Sequence, residues 1–471
     1  MREVDTVVKG GHLITSTSRF AASIGIRDGK IAGIYQPGLE PAAKEAIDAT
    51  GLAVLPGVVD THSHHREPGF THKEDIESAT RACAAGGVTT TVAMPNVYPP
   101  PTTLERLESM FDLYRQKAVV DWNVNPAGTD LQQIPRMAAE GVPSMKIFMV
   151  VDTGRDYPHM PGIGVHEHGR LMAIMEACAA ADIPLMIHPH DQSLMTHIEE
   201  AFWARGERDA LAYAKAYAAH DGLIWESAIG LLLRMQQATG VHLHLLHIQT
   251  EGSVRLLKDA KARGQRVSAE INPWALFLGN DWANIERLGS YALSYYVPEK
   301  NTPALWEGLN DGTIDIVATD HAPHTHEEKE IGWTDGWKAH TGTPSAQHYL
   351  SLLLDAADKG MISYERVVDA TSTTPARLFK LHDKGRIEVG ADADLVLVDL
   401  EAEKQITDEE VLSRNGWTPY AGVKVKGWPR RTVLRGKTVF LDGAVIGERG
   451  DGRQAVAYTP SYMKGRVAEP A

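Results

Sequence analysis

Between residues 56 and 383, short apolar runs alternate with amphipathic helical segments, and that alternation leaves few folds open. Strand candidates fall at about 56–62, 88–94, 119–124, 145–150, 184–188, 241–247, 266–271 and 314–320. Between them lie segments such as ERLESMFDLYRQK, EHGRLMAIMEACAAAD, ESAIGLLLRMQQATG and TEGSVRLLKDAKARG, whose apolar residues recur at helical spacing. Eight strands interleaved with helices predict an α/β fold, a (β/α)8 TIM barrel. A doubly wound sheet shows the same alternation with fewer strands, so the count decides. At 471 residues the chain has room for a barrel of about 250 residues and a second module.

The ends read differently. Residues 1–55 carry short alternating runs broken by Gly and Asp, such as TVVKGGHLIT and ASIGIRDGKIAGIY, with a hairpin signal at Asp28-Gly29. The stretches KGRIEVGADADLVLVDL (384–400) and RRTVLRGKTVFLDG (430–443) have the same character. These two β-rich ends predict a small β-sandwich-like domain assembled from 1–55 and 384–471, flanking a catalytic barrel over 56–383. The helical segment 343–383 is expected under the barrel. The Gly-, Pro- and charge-rich tail from Gly450 is expected to be mobile or to reach a neighbouring subunit.

Composition narrows the partners. With 43% hydrophobic and 23% charged residues, the chain is that of a soluble globular protein. A net charge of −14 argues against nucleic acid and anionic membrane, and an acidic substrate would need a dedicated cation. The two cysteines, Cys83 and Cys178, both in helical segments, exclude a disulfide framework and a cysteine-based zinc site. The N-terminus has no apolar signal core, and no run approaches the roughly 18 apolar residues of a membrane span. The expectation is a cytoplasmic, unprocessed protein.

In a TIM barrel the active site lies at the C-terminal ends of the strands. The first run ends in Asp60-Thr61-His62-Ser63-His64, and a period of two puts His62 and His64 on one face. Such a pair is half of a metal site, or two solvated loop histidines. The fourth run, SMKIFMV, carries Lys146; the fifth ends at His188, the sixth at His247 and the eighth, TIDIVATDHAPH, reaches Asp320. Singly, His188 or His247 reads as a hydrogen-bonded core histidine, Asp320 as a helix cap and Lys146 as a snorkelling side chain. Those readings do not explain the joint position of six such residues, each at the end of a separate parallel strand or paired on one. A buried lysine is costly unless neutralised or paired; as a carbamate formed with CO2 it becomes an anion whose two oxygens can bridge two divalent ions. His242 and His244, of opposite parity to His247, are assigned to the outer, helix-packed face.

Taken together, PGVVDTHSHHREPG, AAGGVTTTVAMPN, MKIF, the strand-end histidines, ATDHAPH and GRIEVGADADLVLVDL resemble the amidohydrolase superfamily over nearly the whole length. The resemblance is to its cyclic amidase branch of dihydroorotases, allantoinases and hydantoinases (dihydropyrimidinases). It implies a metal-dependent hydrolase that opens the C–N bond of a cyclic amide, imide or ureide. It also implies two divalent ions, one on His62, His64 and Asp320, the other on His188 and His247, bridged by carboxylated Lys146. Zinc is the expected metal, with Mn, Co and Fe as alternatives, and Asp320 the catalytic proton shuttle. A small-molecule substrate and a homodimer or homotetramer are implied as well.

The local match is closest to dihydroorotase, in which the positions of Arg66, Asn96 and His324 hold a substrate carboxylate. A guanidinium there pairs bidentately with such a group; the alternative is that Arg66 pairs with Glu67, Glu74 or Asp75. Four departures bear on the substrate: His188-Pro189-His190-Asp191, Asn272-Pro273-Trp274, Val297-Pro298-Glu299-Lys300-Asn301, and the two-tryptophan loop GWTDGWKAHTGT (332–343). They shift the expectation from dihydroorotate towards a ring with a larger or more apolar substituent, with allantoinase and hydantoinase as alternatives. Lys146 argues against a mononuclear deaminase-type centre, and the complete ligand set against a catalytically inactive scaffold.

Overall fold

Alternation along the central strands decides which side chains reach the interior, and the strands lie where the apolar runs predict. The structure, a computed structural model, describes residues 3–150, 162–279, 281–292 and 299–467. Val297 and Pro298 of the departing loop, and the last four residues of the tail, lie outside the described residues.

The chain opens with β1 (Val4–Ile14), β2 (Arg19–Arg27), β3 (Lys30–Tyr35), β4 (Ala43–Asp48) and β5 (Ala53–Pro56). The β2–β3 hairpin pairs Arg27 with Lys30 around Asp28 and Gly29, whose φ values of 51° and 74° are those of the turn read from the sequence. All eight central runs form strands: β6 (Val58–Ser63), β7 (Val88–Ala93), β8 (Asp121–Val124), β9 (Met145–Phe148), β10 (Leu185–His188), β11 (Leu243–Leu245), β12 (Val267–Ile271) and β13 (Ile316–Val317). The C-terminal part adds β14 (Leu395–Gln405), β15 (Lys424–Leu434), β16 (Lys437–Leu441) and β17 (Ala444–Val445).

Among the described residues the terminal strands form one sheet, in the order β17-β16-β15-β14-β5-β1-β2-β3 with β4 beside β1. The antiparallel pairing of β5 with β14 joins the two ends of the chain. Val8, Ile24, Ile26, Ile31, Leu395 and Val433 meet in one cluster, so the terminal strands have a hydrophobic core of their own.

The central strands are all parallel and follow chain order, β6-β7-β8 in one sheet and β9 to β13 in another. A doubly wound sheet would reverse its order at a switch point; this one does not. Single parallel bridges link the sheet edges, Ala127 with Lys146 at one seam and Ser63 with His321 at the other. Outward-facing Met145, Ile147, Leu185, Ile187, Leu243, Leu245, Ala269 and Ile271 pack in one core with Ile174, Leu232 and Leu257 of the surrounding helices. The residues between them, including Lys146, Met186, His188, His244, Ser268 and Glu270, therefore face inward. Among the described residues, no helix is long and apolar enough to cross a membrane.

The outer-face assignment of His242 and His244 is corrected by this register. His244 stands beside Met186 and Ser268 in the parallel ladders, and the ring nitrogens of both histidines lie 2.8–2.9 Å from Ser268 Oγ. The strand β11 ends at Leu245, and His247 adopts φ 36°. Alternation stops before His247, so parity counted back from it points the wrong way.

On the inner side of the parallel strands, Val59, Met186, Leu246 and Ile316 pack with Ala376, Phe379 and Leu381, so the end of the helical 343–383 segment packs against them. The described part of the tail is held by backbone hydrogen bonds. Trp122 N donates to Arg453 O (3.0 Å), Ala455 N to Trp122 O (2.8 Å) and Ala457 N to Gly141 O (2.8 Å). These bonds satisfy backbone groups that would otherwise need water.

Candidate metal centre

The sequence-predicted ligand residues converge at the C-terminal ends of the central strands. His62 Nε2 and His64 Nε2 each lie 3.0 Å from Asp320 Oδ1. Beside this trio, His247 Nε2 is 2.9 Å from His188 Nδ1, and the His62 and His247 ring centroids are 6.2 Å apart. Asp320 caps no helix, since the next described helix begins at His326 behind Thr325. Asp320, His247 and Arg66 have φ values of 45°, 36° and 59°. Left-handed backbone in such residues costs about 1–3 kcal/mol each and persists where the surroundings over-determine it.

Lys146 does not snorkel; it is 0% exposed. Among the described residues its Nζ has no hydrogen-bond partner and sits 4.2 Å from the centroid of the Phe148 ring. Burial pulls its pKa down to about 7, against the opposing pull of Asp320 and Glu270. Near neutrality a substantial share of it is therefore the free amine that attack on CO2 requires, while the charge of the protonated form is felt by both His188 and His247. An orphaned amine between two donor groups fits a bridging carbamate with an ion on either side.

Electrostatics divide the histidines. Burial holds His64 and His247 down to about 3 and His188 well below the ordinary imidazole value. These rings are neutral, the form that binds metal. For His62 burial acts the same way but is outweighed by Asp320 and Glu270, which raise it to about 9. Burial alone would raise Asp320; His62 and His64 on either side hold it well below the carboxylate range.

The three residues assigned to substrate are found in two places. Asn96 Oδ1 lies 2.5 Å from His64 Nδ1, orienting a ligand-type histidine. Arg66, 2% exposed, donates through Nε to Pro323 O at 3.2 Å and through Nη2 to His324 Nε2 at 3.0 Å. The carboxylates weighed as its partners are engaged elsewhere: Glu67 with Lys117, Glu74 with Ser413, Asp75 with Arg414. Among the described residues two other clusters have metal-like donor sets, His324–Glu328–His340 and Asp121–Asp392–Asp394. A lysine ammonium occupies each. Lys73 Nζ lies 2.7 Å from Glu328 and 2.8 Å from His340; Lys384 Nζ lies 2.7 Å from Asp392 and 2.8 Å from Asp394.

Two features escaped the sequence reading. Glu270 Oε1, fully buried, lies 2.5 Å from His62 Nδ1; its signal was a carboxylate between apolar Ala269 and Ile271. An aromatic wall flanks the second histidine pair, with the Trp225 centroid 6.0 Å from those of both His188 and His247, and Tyr217 5.8 Å behind it. A tryptophan on an amphipathic helix carries no such signal. Of the loop tryptophans, Trp337 is buried against Tyr213 (5.3 Å) while Trp333 is 44% exposed.

Parallel strands that end in a His-x-His pair, two further histidines, a buried lysine and an aspartate define a class of metal-binding hydrolases. The model of the Amidohydrolase family matches residues 53–439, and the chain belongs to that family. It is 31% identical over 458 residues to an L-hydantoinase of Paenarthrobacter aurescens, covering 95% of this chain and 97% of the relative. To a dihydroorotase of Anoxybacillus flavithermus it is 35% identical over 431 residues, 89% and 94% of the two chains. The solved L-hydantoinase (dihydropyrimidinase) from Arthrobacter aurescens superimposes with a TM-score of 0.90 at 30% identity, covering 96% of this chain and 99% of that one. The dihydropyrimidinase from Brevibacillus agri gives 0.87 at 25% identity, over 95% and 98%. The chain therefore lies in the cyclic amidase branch and is a hydrolase acting on the C–N bonds of cyclic amides.

Proposed function

We propose that the enzyme opens the ring of a cyclic ureide, of the hydantoin or dihydropyrimidine class, whose substituent is apolar or aromatic. The aromatic wall carries this reading: Trp225 stands 6.0 Å from both histidines of the second pair. A ring substituent directed there meets π faces rather than charge.

His62, His64 and Asp320 would hold one divalent ion and His188 and His247 the other, with zinc proposed and Mn, Co or Fe compatible with the same donors. Lys146, as a free amine, forms an N–C bond to CO2 and loses one proton, and the two carbamate oxygens would bridge the pair. When bound, the ions would polarise the scissile carbonyl and bring the pKa of water towards neutrality. Asp320, ionised at the outset, accepts the proton of the attacking water and delivers it to the ring nitrogen as the C–N bond breaks. Since the nitrogen stays tethered through the opened ring, the reaction is reversible in principle.

On this reading the two parallel sheets and their seam bridges make one closed barrel over 56–383, and 1–55 with 384–471 form the second module. The molecule would work as a cytosolic homodimer or homotetramer.

A dihydroorotase-type reading is favoured by one observation, the 3.0 Å approach of Arg66 to His324, which gathers groups suited to a carboxylate. Turnover of 5-benzylhydantoin, hydantoin, dihydrouracil, allantoin and dihydroorotate by metal-loaded enzyme separates the two. The expected outcome is a kcat/KM for the aryl hydantoin about tenfold or more above that for dihydroorotate. The reverse order would transfer the assignment to the dihydroorotase type.

A further inference from the structure

A fully buried carboxylate stands beneath the His-x-His pair with no part in the chemistry described above. Glu270 lies on β12 with 0% exposure, and its register partner on β13 is Ile316. Apolar Met186, Leu246, Ile316 and Phe379 pack together just beneath the site. Burying a charge in such surroundings is costly unless it is paired and hydrogen-bonded. If packing were the only need, an aliphatic side chain would meet it.

The hydrogen bonds around Glu270 form a line with one direction. His62 Nδ1 lies 2.5 Å from Oε1 and His244 Nε2 3.4 Å from Oε2. His244 Nδ1 lies 2.8 Å from Ser268 Oγ, which is 2.9 Å from His242 Nε2. With Glu270 ionised, a single assignment satisfies every group. His242 donates to Ser268, Ser268 donates to His244 Nδ1, His244 donates from Nε2 to Glu270, and His62 donates from Nδ1 to the other oxygen. The consequence falls on His62: its Nδ1 is committed to donating to Glu270, which leaves Nε2, 3.0 Å from Asp320, as the nitrogen that would take a metal. The neighbouring His64 is oriented differently, by the neutral amide of Asn96 at 2.5 Å.

We propose that Glu270, held by the His244–Ser268–His242 line, is a positioning residue that fixes the tautomer of His62 and lends it negative charge, so that the two histidines of the pair bind metal with unequal strength. This rests on the reading of His62 as a metal ligand. Carboxylates that accept from ligating histidines raise ligand basicity, and their loss weakens metal affinity by about 10–100-fold. Asn96 supplies orientation without charge, so the asymmetry between His62 and His64 is built into the donors behind them.

The test compares wild-type chain with Glu270→Gln, which keeps an acceptor for His62 but removes the charge, and Glu270→Ala, which removes both. Metal per chain is counted by atomic emission, the Zn2+ dissociation constant is measured by competition with a chromophoric chelator, and the visible spectrum of the Co2+-loaded protein is recorded. The expected result is two ions in the wild type, affinity for one of them weakened about tenfold in Glu270→Gln and about 100-fold in Glu270→Ala, and an altered Co2+ spectrum in both. A role in packing alone would leave the isosteric Gln variant's spectrum and affinity unchanged. Wild type with two ions and a Gln variant indistinguishable from it overturns this inference alone. A wild type that binds no divalent ion overturns the metal reading, and this inference with it. Should Glu270→Ala fail to fold, the Gln comparison decides.

Discussion

At Lys146 the penalty of burial becomes a chemical property. An exposed ammonium is useless as a nucleophile towards CO2, whereas this one, brought down to about 7 by burial, is available as the amine. Lys146→Ala is therefore expected to lose bound metal and turnover together, with partial return of both on adding a short carboxylic acid such as propionate. Stoichiometric metal in the untreated variant would exclude a bridging role. Asp320 makes a separate claim. Asp320→Asn keeps a donor oxygen between His62 and His64 but cannot shuttle a proton, so metal content should survive while kcat falls by about 100–10,000-fold. Near-normal turnover in that variant would move the shuttle elsewhere. The six candidate ligands stand out in the sequence because each is a polar residue inside or at the end of an otherwise apolar run. Glu270 obeyed the same rule and was passed over because no motif pointed to it. Trp225 was illegible in principle, since a helix buries its aromatic residues whether or not a substrate lies beyond them.

Among elements, strands announced themselves and their endings did not. All eight central runs were found as strands, yet β11 stops at Leu245 and a positive φ at His247 breaks the alternation, which sent His244 to the wrong face on paper. Periodicity holds only within a regular strand, and the sequence does not mark where regularity stops. Composition likewise does not show that the described part of the tail is held, because its backbone partners at Trp122 and Gly141 are remote in sequence. The contact between modules has a polar centre: Lys384, 5% exposed, bridges Asp121 of β8 to Asp392 and to Asp394 just before β14. Burial would lower the lysine's pKa, but the three carboxylates outweigh it and raise it well above the ordinary value. Lys384→Met leaves those carboxylates facing one another without their cation. The expected loss is about 3–5 kcal/mol of stability, measured by urea unfolding at neutral pH. Since the folded pKa is the higher one, this contribution is complete below about 10.5 and fades as pH rises through the folded value. The gap between variant and wild type should therefore be constant from neutrality to about pH 10 and narrow only above it. A gap that closes below pH 9 would mean that another group carries the effect.

At the scale of the whole molecule, the candidate site lies across a seam. His62 and His64 come from the three-stranded parallel sheet, and Lys146, His188, His247 and Asp320 from the five-stranded one or the turns that leave it. The two sheets are joined there by isolated bridges, Ser63 with His321 and Ala127 with Lys146, and by a few hydrogen bonds such as His64 N to His321 O (2.7 Å) and Lys146 N to Pro126 O (2.9 Å). Ions held between His62, His64 and Asp320, and by Lys146 with the second histidine pair, would clasp the sheets where no continuous strand ladder joins them. A ligand that binds only the folded state stabilises it by about 2.7 kcal/mol at a free concentration 100 times its dissociation constant. Chelator-stripped protein is accordingly expected to unfold several degrees below the metal-loaded form, with recovery on reloading. The location of the change is the sharper part of the prediction. Amide exchange should quicken on stripping at both seams, around residues 63–64 and 126–128, while β14 and β15 of the terminal sheet, which has its own core, stay protected. Uniform loosening of both modules would make the metal a general stabiliser; unchanged exchange at the seams would show that the barrel holds its shape without a clasp.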